Sequence, residues 1–261
     1  MNNIKILICC HKTCELPKDN VYLPIHVGAA ISDVDFGLQR DDQVTGAACD
    51  NISAKNKNYC ELTALYWAWK NMPKLYSNLE YIGVSHYRRF FSIPNKKQIT
   101  FLKKGGVFIP NFKYYPYSVE NAYSIEHERF DVEILKQTIK ELYPAYEKNM
   151  LKVFRGNKTT VCNMFIANKD FYNAYCEWLF SILFEVEKKV FIDHYDDYQK
   201  RIFGFMSERL LYIYMLQNKI KFKTAKVKTI DIKEFKGFHR IVQNLRCRLS
   251  FFFGAKRHYD V

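Results

Sequence analysis

The residues of this chain best suited to chemistry are His86, Tyr87, Arg88 and Arg89, which follow the short apolar run Tyr81–Val84. Two guanidinium groups and an imidazole in one tetrapeptide are poor core material, because a guanidinium is costly to bury without a partner. An apolar run of this length reads as a buried strand, and ligands of open α/β sheets bind beyond the carboxyl ends of the strands. Paired arginines in that position suit a diphosphate, whose oxygens their planar donor forks grip two at a time. The alternative is a solvated loop, the usual place of a charge run. His11 and Lys12 stand in the same relation to the apolar run Ile4–Cys10, which reads as the first buried parallel strand. They reach the same crevice, or else a solvated turn.

The elements that must position these residues follow from hydrophobic spacing. A polar loop, Asp50–Asn58, precedes a helix, Cys60–Asn71, with Leu62, Leu65, Tyr66 and Trp69 along one face. After Phe91 the chain is loop-like as far as a second short strand, Gly106–Pro110. Tyr114, Tyr115 and Tyr117 then form either a carbohydrate or head-group platform or a packed loop. A helix is expected from Ser124 to Tyr146, with Phe130, Ile134, Leu135, Ile139 and Leu142 on its apolar face and a stop near Pro144. His127, between two glutamates on that helix, is a secondary site candidate, since a lone histidine on a helix is more often structural. Thr160–Ala167 has a buried-strand pattern interrupted by Asn163, an amide that needs hydrogen-bond partners. Phe171–Val190 is an amphipathic helix that covers the sheet, and Glu208 and Arg209 open a further, mostly apolar helix.

The composition bounds what these elements can serve. At 261 residues the chain buries a substantial core, and one domain (1–225) with a tail (226–261) is the simplest organisation. Forty basic against twenty-seven acidic residues leave a formal charge of +13, which suits nucleic acid, an anionic membrane or a phosphorylated substrate. No RNA-module signature appears and part of the charge lies in the tail, so no nucleic-acid partner is expected. The eight cysteines include no Cys-x-x-Cys pair and no zinc-finger spacing. With an N-terminal apolar run too short for a signal peptide or a span, the expectation is a cytoplasmic chain with reduced thiols.

The tail is distinctive. Phe238, Ile241, Val242, Leu245, Leu249, Phe252 and Phe253 recur at helical spacing, with Arg240, Arg246 and Arg248 off that face and Lys256 and Arg257 beyond. No acid occurs between Gly237 and Tyr259. A basic amphipathic helix of this kind reads as a membrane-surface element facing anionic lipid. A helix docked on the body or completing a homodimer is the alternative.

Taken together, NISAKN (51–56), YCELTALYWAWKN (59–71) and YIGVSHYRRFF (81–91) resemble a bacterial family of capsule and exopolysaccharide glycosyltransferases catalogued as domain of unknown function 4422. DHYDDYQKRIFGFMSERL (193–210) resembles the same family's closing motif, in which a Gly-Phe turn leads into a Ser-Glu-Arg-Leu helix. The resemblance extends to about residue 225. It implies a GT-A-like α/β fold with a mixed, mostly parallel central sheet flanked by helices. It also implies a UDP-sugar donor, with galactose or galactofuranose favoured, and a lipid-linked oligosaccharide acceptor at the cytoplasmic face of the inner membrane.

Many GT-A transferases neutralise the leaving diphosphate with a metal held by Asp-x-Asp after a strand such as Tyr81–Val84. Here His86–Arg89 stand in that place, whereas Asp33, Asp35, Asp41 and Asp42 fall in a loop too early in the chain. The expectation is therefore a transferase without metal or other cofactor, in which Arg88 and Arg89, with His86 and Lys55, stabilise departing UDP. The donor contacts expected with them are His11, Lys12, Asn51, Asn56, Tyr59, Glu61, Tyr87, Asn163 and Arg209. Glu208 is the first choice of general base for an inverting displacement, followed by Asp197 and Asp193. The competing readings of Glu208 are a good helix N-terminal residue or a salt bridge with Arg201 or Arg209. The alternatives to an enzyme are a non-catalytic nucleotide- or glycan-binding protein and a basic nucleic-acid-binding protein.

Overall fold

The computed structural model describes residues 3–230 and 237–255. Its centre is the Ile4–Cys10 strand, paired in parallel with Tyr22–His26 on one side and Tyr81–His86 on the other. Side chains alternate along it. Leu7 and Cys9 enter the core under the large helices, whereas Ile4, Ile6, Ile8 and Cys10 enter a second core on the opposite face. A strand buried on both faces has no place for a polar alternation, which is why the run is apolar everywhere but at the half-buried Lys5 near its start.

Outward from Tyr81–His86 the sheet adds Phe165–Asn168 (antiparallel), Val107–Ile109 (antiparallel) and Phe222–Thr224 (parallel); Gln39–Arg40 closes the other edge. The expected mixed sheet flanked by helices is present. At its middle Gly83 stands between Ile6 and Ile166, and a Cβ there would come 3.0 Å from Ile6 Cγ1 and 3.1 Å from Ile166 Cγ1. Glycine lets two β-branched neighbours meet over it. The helices Leu62–Leu75, Lys169–Glu187 and Ile202–Gln217 cover one face, joined by a dense aromatic layer that includes Phe165, Tyr172, Tyr175 and Trp178.

Several expected boundaries move, each for a local reason. The polar stretch before the first long helix is not a loop but a 3-10 turn, Ser53–Lys55, running into a helical turn, Asn56–Tyr59. Asn51 Oδ1 accepts from the Ser53 N–H, and the fully buried Tyr59 anchors the far end. Cys60 then takes φ 51°, which ends that turn and starts the long helix at Leu62.

The stretch after Phe91 contains a helix, Lys96–Lys103, closed by a reciprocal capping box between Asn95 and Gln98. The expected Ser124–Tyr146 helix is two helices, Val119–Glu126 and Arg129–Leu142, broken where His127 becomes extended; Phe130 is 78% exposed and so leaves the apolar face. The strand expected at Thr160–Ala167 is only Phe165–Asn168, because Cys162 and Asn163 both turn left-handed. Finally, Val227–Thr229 pairs with Arg89–Phe91, so the main sheet continues past residue 225.

Candidate active site

The strands Ile4–Cys10, Tyr22–His26 and Tyr81–His86 all end at one cleft of about 750 Å³. Its wall takes Cys9 and His11 from the first strand end, Val27 from the second and His86, Tyr87, Arg88 and Arg89 from the third. Asn56, Lys57, Cys60 and Glu61 contribute from the turn before the long helix, and Asp197, Lys200, Arg201 and Glu208 from the closing block; Cys162 completes it.

His86 pairs with Arg89 across a tight hairpin, so Tyr87 and Arg88 occupy its corner. The Tyr87 ring is buried, with the His11 ring edge-on to it at 5.0 Å and two cations nearby, the Arg88 guanidinium at 5.2 Å and the Lys12 amine at 5.7 Å. An aromatic face holds positive groups without neutralising them. His11 reports the resulting field. Its pKa is held below the usual value, first by desolvation and then by Lys12, Arg201, Arg88 and His86.

On the opposite wall, His86 Nε2 lies 2.6 Å from the Cys162 carbonyl oxygen, which fixes a proton on that nitrogen, and 3.9 Å from Glu61 Oε1. Glu61 Oε1 accepts from Asn163 Nδ2 at 2.7 Å, and the same amide nitrogen donates to the Gly204 carbonyl at 3.2 Å. Two successive left-handed residues, Cys162 and Asn163, therefore do mechanical work. They present a carbonyl to His86, an amide to Glu61 and the Cys162 N–H to Glu208 Oε1 at 2.7 Å. Cys60, with φ 51° and ψ −131°, is a third strained residue at this wall. Its thiol receives the Arg201 Nε–H at 3.4 Å. Gly204 lets the closing helix approach that corner, since a Cβ would sit 3.1 Å from Cys60 Sγ.

Glu208 is not in the first turn of a helix, as expected, but in the interior of Ile202–Gln217. The helix dipole has no special hold on it there. Desolvation instead raises its pKa, opposed by Arg209 and the Cys162 N–H. The expected Gly-Phe turn is part of the same helix.

A family model described as "Domain of unknown function (DUF4422)" matches residues 5–219. The chain belongs to this DUF4422 family. No curated protein matches it. Among solved structures, the apo form of the bifunctional glycosyltransferase WbbM is similar, with 27% identity and a TM-score of 0.75 over 90% of this chain and 47% of that one. The chain thus spans about half the length of that protein.

Of the residues singled out in this DUF4422 chain, the fold brings His11, Asn56, Glu61, His86, Tyr87, Arg88, Arg89, Asp197 and Glu208 to one wall-to-wall cleft. Asn163 stands buried directly behind Glu61. Others are used elsewhere. The Lys55 amine pairs with Glu187 at 2.7 Å, and the Tyr59 hydroxyl donates to the same carboxylate at 3.1 Å. Asn51 is consumed in its own turn, between Cys49 and Ser53. Arg209, 2% exposed, lies behind Glu208: its Nη1 donates to the Phe205 carbonyl at 2.7 Å and to Glu208 Oε2 at 3.0 Å. Arg209 therefore orients Glu208 and does not line the cleft. Lys12 stays at the rim beside Tyr87, and Asp193 is exposed and outside the lining. Asp41, from the early acidic loop, is fully buried and caps the Gly28 and Ala29 amides, a structural task.

The cleft residues not singled out from the sequence include Lys57, Cys60, Cys162, Lys200 and Arg201. The adjacent cations Lys200 and Arg201 repeat the feature that marked Arg88 and Arg89, and they lie within the closing block. Cys162 had no such signal, because its contacts to His86 and Glu208 are made by its backbone, beside a thiol that receives Arg89 Nη1 at 3.6 Å. Among the described residues no group of three or more His, Cys, Asp or Glu side chains is placed to hold a metal ion.

Proposed function

We propose that this chain is a glycosyltransferase that moves a hexose, galactose or galactofuranose first among the candidates, from a UDP-sugar to a hydroxyl of a lipid-linked oligosaccharide. The similarity to WbbM supports transferase chemistry. The observation that carries the reading is the charge of the cleft. Lys57, Arg88, Arg89, Lys200 and Arg201 enter it from three segments of the chain and outnumber the carboxylates Glu61, Asp197 and Glu208. Such an excess facing open volume suits a diphosphate and not a neutral glycan alone.

In the reaction so proposed, the bond between the anomeric carbon and the diphosphate oxygen breaks, and the electron pair leaves with UDP. The preset cations stabilise that charge with little reorganisation. The acceptor oxygen attacks the opposite face and its proton passes to Glu208, whose raised pKa favours taking it. A single displacement of this kind inverts the anomeric centre. In this reading the cations at the end of the Tyr81–His86 strand act in place of an Asp-x-Asp metal site, since His86, Tyr87, Arg88 and Arg89 include no carboxylate.

The test is thermal denaturation with UDP and UDP-sugars, with and without EDTA. A ligand bound only by the folded state raises Tm by mass action. UDP should raise Tm equally in EDTA, and Arg88→Ala should abolish the rise. A shift lost in EDTA and restored by manganese overturns the metal-free reading. No shift with any nucleotide overturns the donor site.

A further inference from the structure

The C-terminal helix Gly237–Ser250, continued by the π-helical turn Phe251–Ala255, rests on the body through its less apolar side. Cys247 is 6% exposed, and the Arg248 guanidinium lies 5.8 Å from the Tyr114 ring. Positions i and i+2 of an α-helix are about 200° apart around the axis, so Leu245 points almost opposite to Cys247. Accordingly Leu245 is 52% exposed, as are Ile241 at 63%, Phe252 at 75% and Phe253 at 72%. The apolar stripe thus faces away from the protein, which removes the possibility of a helix docked by its apolar face. The side chain of Phe238, and Lys256 and Arg257, fall outside the described residues.

The charge around this stripe is of one sign. Arg240, Arg246 and Arg248 are exposed on the helix, and the sequence holds no acid from Gly237 to Tyr259. The two-stranded sheet beneath the helix adds Lys113 and Lys158, with Glu126, 3.9 Å from Lys113, as an acid facing it. Lys158 feels the crowding: desolvation lowers its pKa first, and Arg248 and Lys152 lower it further. A second copy of this helix would bring two acid-free rows of arginine together, which opposes association. An anionic bilayer supplies both missing partners, acyl chains for the stripe and phosphates for the arginines.

We propose that the C-terminal helix is an interfacial anchor that lies in the plane of an anionic bilayer with Ile241, Leu245, Phe252 and Phe253 inserted. The same helix rests on the small antiparallel sheet of Lys113–Tyr114 and Lys158–Thr159, whose second strand runs on through Thr160 to Cys162 at the cleft. The anchor therefore holds the cleft wall at a fixed remove from the lipid surface. This proposal does not depend on the reaction performed in the cleft.

The experiment is flotation of the full chain with vesicles of phosphatidylcholine, alone or mixed with phosphatidylglycerol, alongside analytical ultracentrifugation without lipid. Binding should require phosphatidylglycerol and weaken with salt. Arg240→Ala and Arg246→Ala together should weaken it about thirtyfold, and Phe252→Ser with Phe253→Ser by about tenfold or more. These side chains are exposed, so Tm should not change in either variant, which separates lost binding from misfolding. Equal binding to neutral vesicles, or no vesicle binding, overturns the proposal. So does a dimer that the Phe252→Ser, Phe253→Ser variant dissolves while vesicle binding stays unchanged.

Discussion

Two polar regions adjoin along the Ile202–Gln217 helix, one at Phe205 and one at Glu208 three residues on, and each contains a histidine and carboxylates. One is the cleft around His86, Glu61 and Glu208. The other surrounds His127, whose ring stacks on Phe205 at 4.0 Å and faces Tyr123 at 4.8 Å, with Nδ1 3.2 Å from Gln199 Oε1. Beside it the Tyr195 hydroxyl donates to Asp131 Oδ1 at 2.8 Å. Burial drives His127 down to a pKa of about 4 and Asp131 up to about 6, in each case by disfavouring the charged form, and His127 is left as the neutral imidazole. In the cleft, by contrast, charges of one sign are in surplus and face open volume. A perturbed pKa is common to both regions and does not distinguish them. Functional character follows from unbalanced charge next to space that a ligand can fill. Arg209 joins the two, with its guanidinium 5.3 Å from Tyr123 on one side and bonded to Glu208 on the other.

The largest effect expected from breaking this contrast is at Glu208. Glu208→Gln should lower kcat by about 10²–10⁴-fold in a transfer assay while UDP still raises Tm, because the amide keeps the shape but not the proton affinity. It also leaves the buried Arg209 without a carboxylate, at a cost of about 1–3 kcal/mol in stability. The assay is therefore run well below Tm. Normal turnover would make Glu208 a structural residue like those around His127.

His127→Gln tests the other side. Losing the stack on Phe205 should cost about 1–2 kcal/mol, seen in chemical denaturation, with kcat/KM unchanged. A large loss of transfer with intact stability would move His127 into the active site.

A smaller effect is expected from pH. Asp131 has a folded pKa above its unfolded value, so the native state holds the extra proton and this group's contribution to stability falls as pH rises from about 4 to about 6. Asp131→Asn removes that loss. The Tm of the variant relative to the parent should therefore climb across that interval, and a relative fall would contradict the assignment. His127 works in the opposite direction: its folded pKa is depressed, and its contribution is lost as pH falls from about 6.5 towards about 4.

Much of the frame was legible because burial leaves a local trace. Ile4–Cys10 is apolar at nearly every position because both its faces are covered, and the HYRR hairpin stands out because cations follow a buried strand. The Phe171–Val190 expectation agrees with the observed Lys169–Glu187 helix for the same reason. Errors arose where conformation depends on a remote neighbour. Thr160–Ala167 looks like a strand, yet Cys162 and Asn163 turn left-handed where they meet Glu208, Glu61 and Gly204, residues far away in sequence. Gly204–Phe205 reads as a turn. It is helical, and the glycine there serves a close approach to Cys60.

The sequence by itself determined the α/β class, the central strand, the cationic strand end and the amphipathic character of the tail. Each follows from residue type and spacing over a few neighbours. Only the tertiary structure decided which charges share a space. It sent Lys55 and Tyr59 to Glu187, placed Arg209 behind Glu208 and turned the tail's apolar stripe outward. Electrostatic partnership depends on distances of a few ångströms between segments that the chain order keeps far apart.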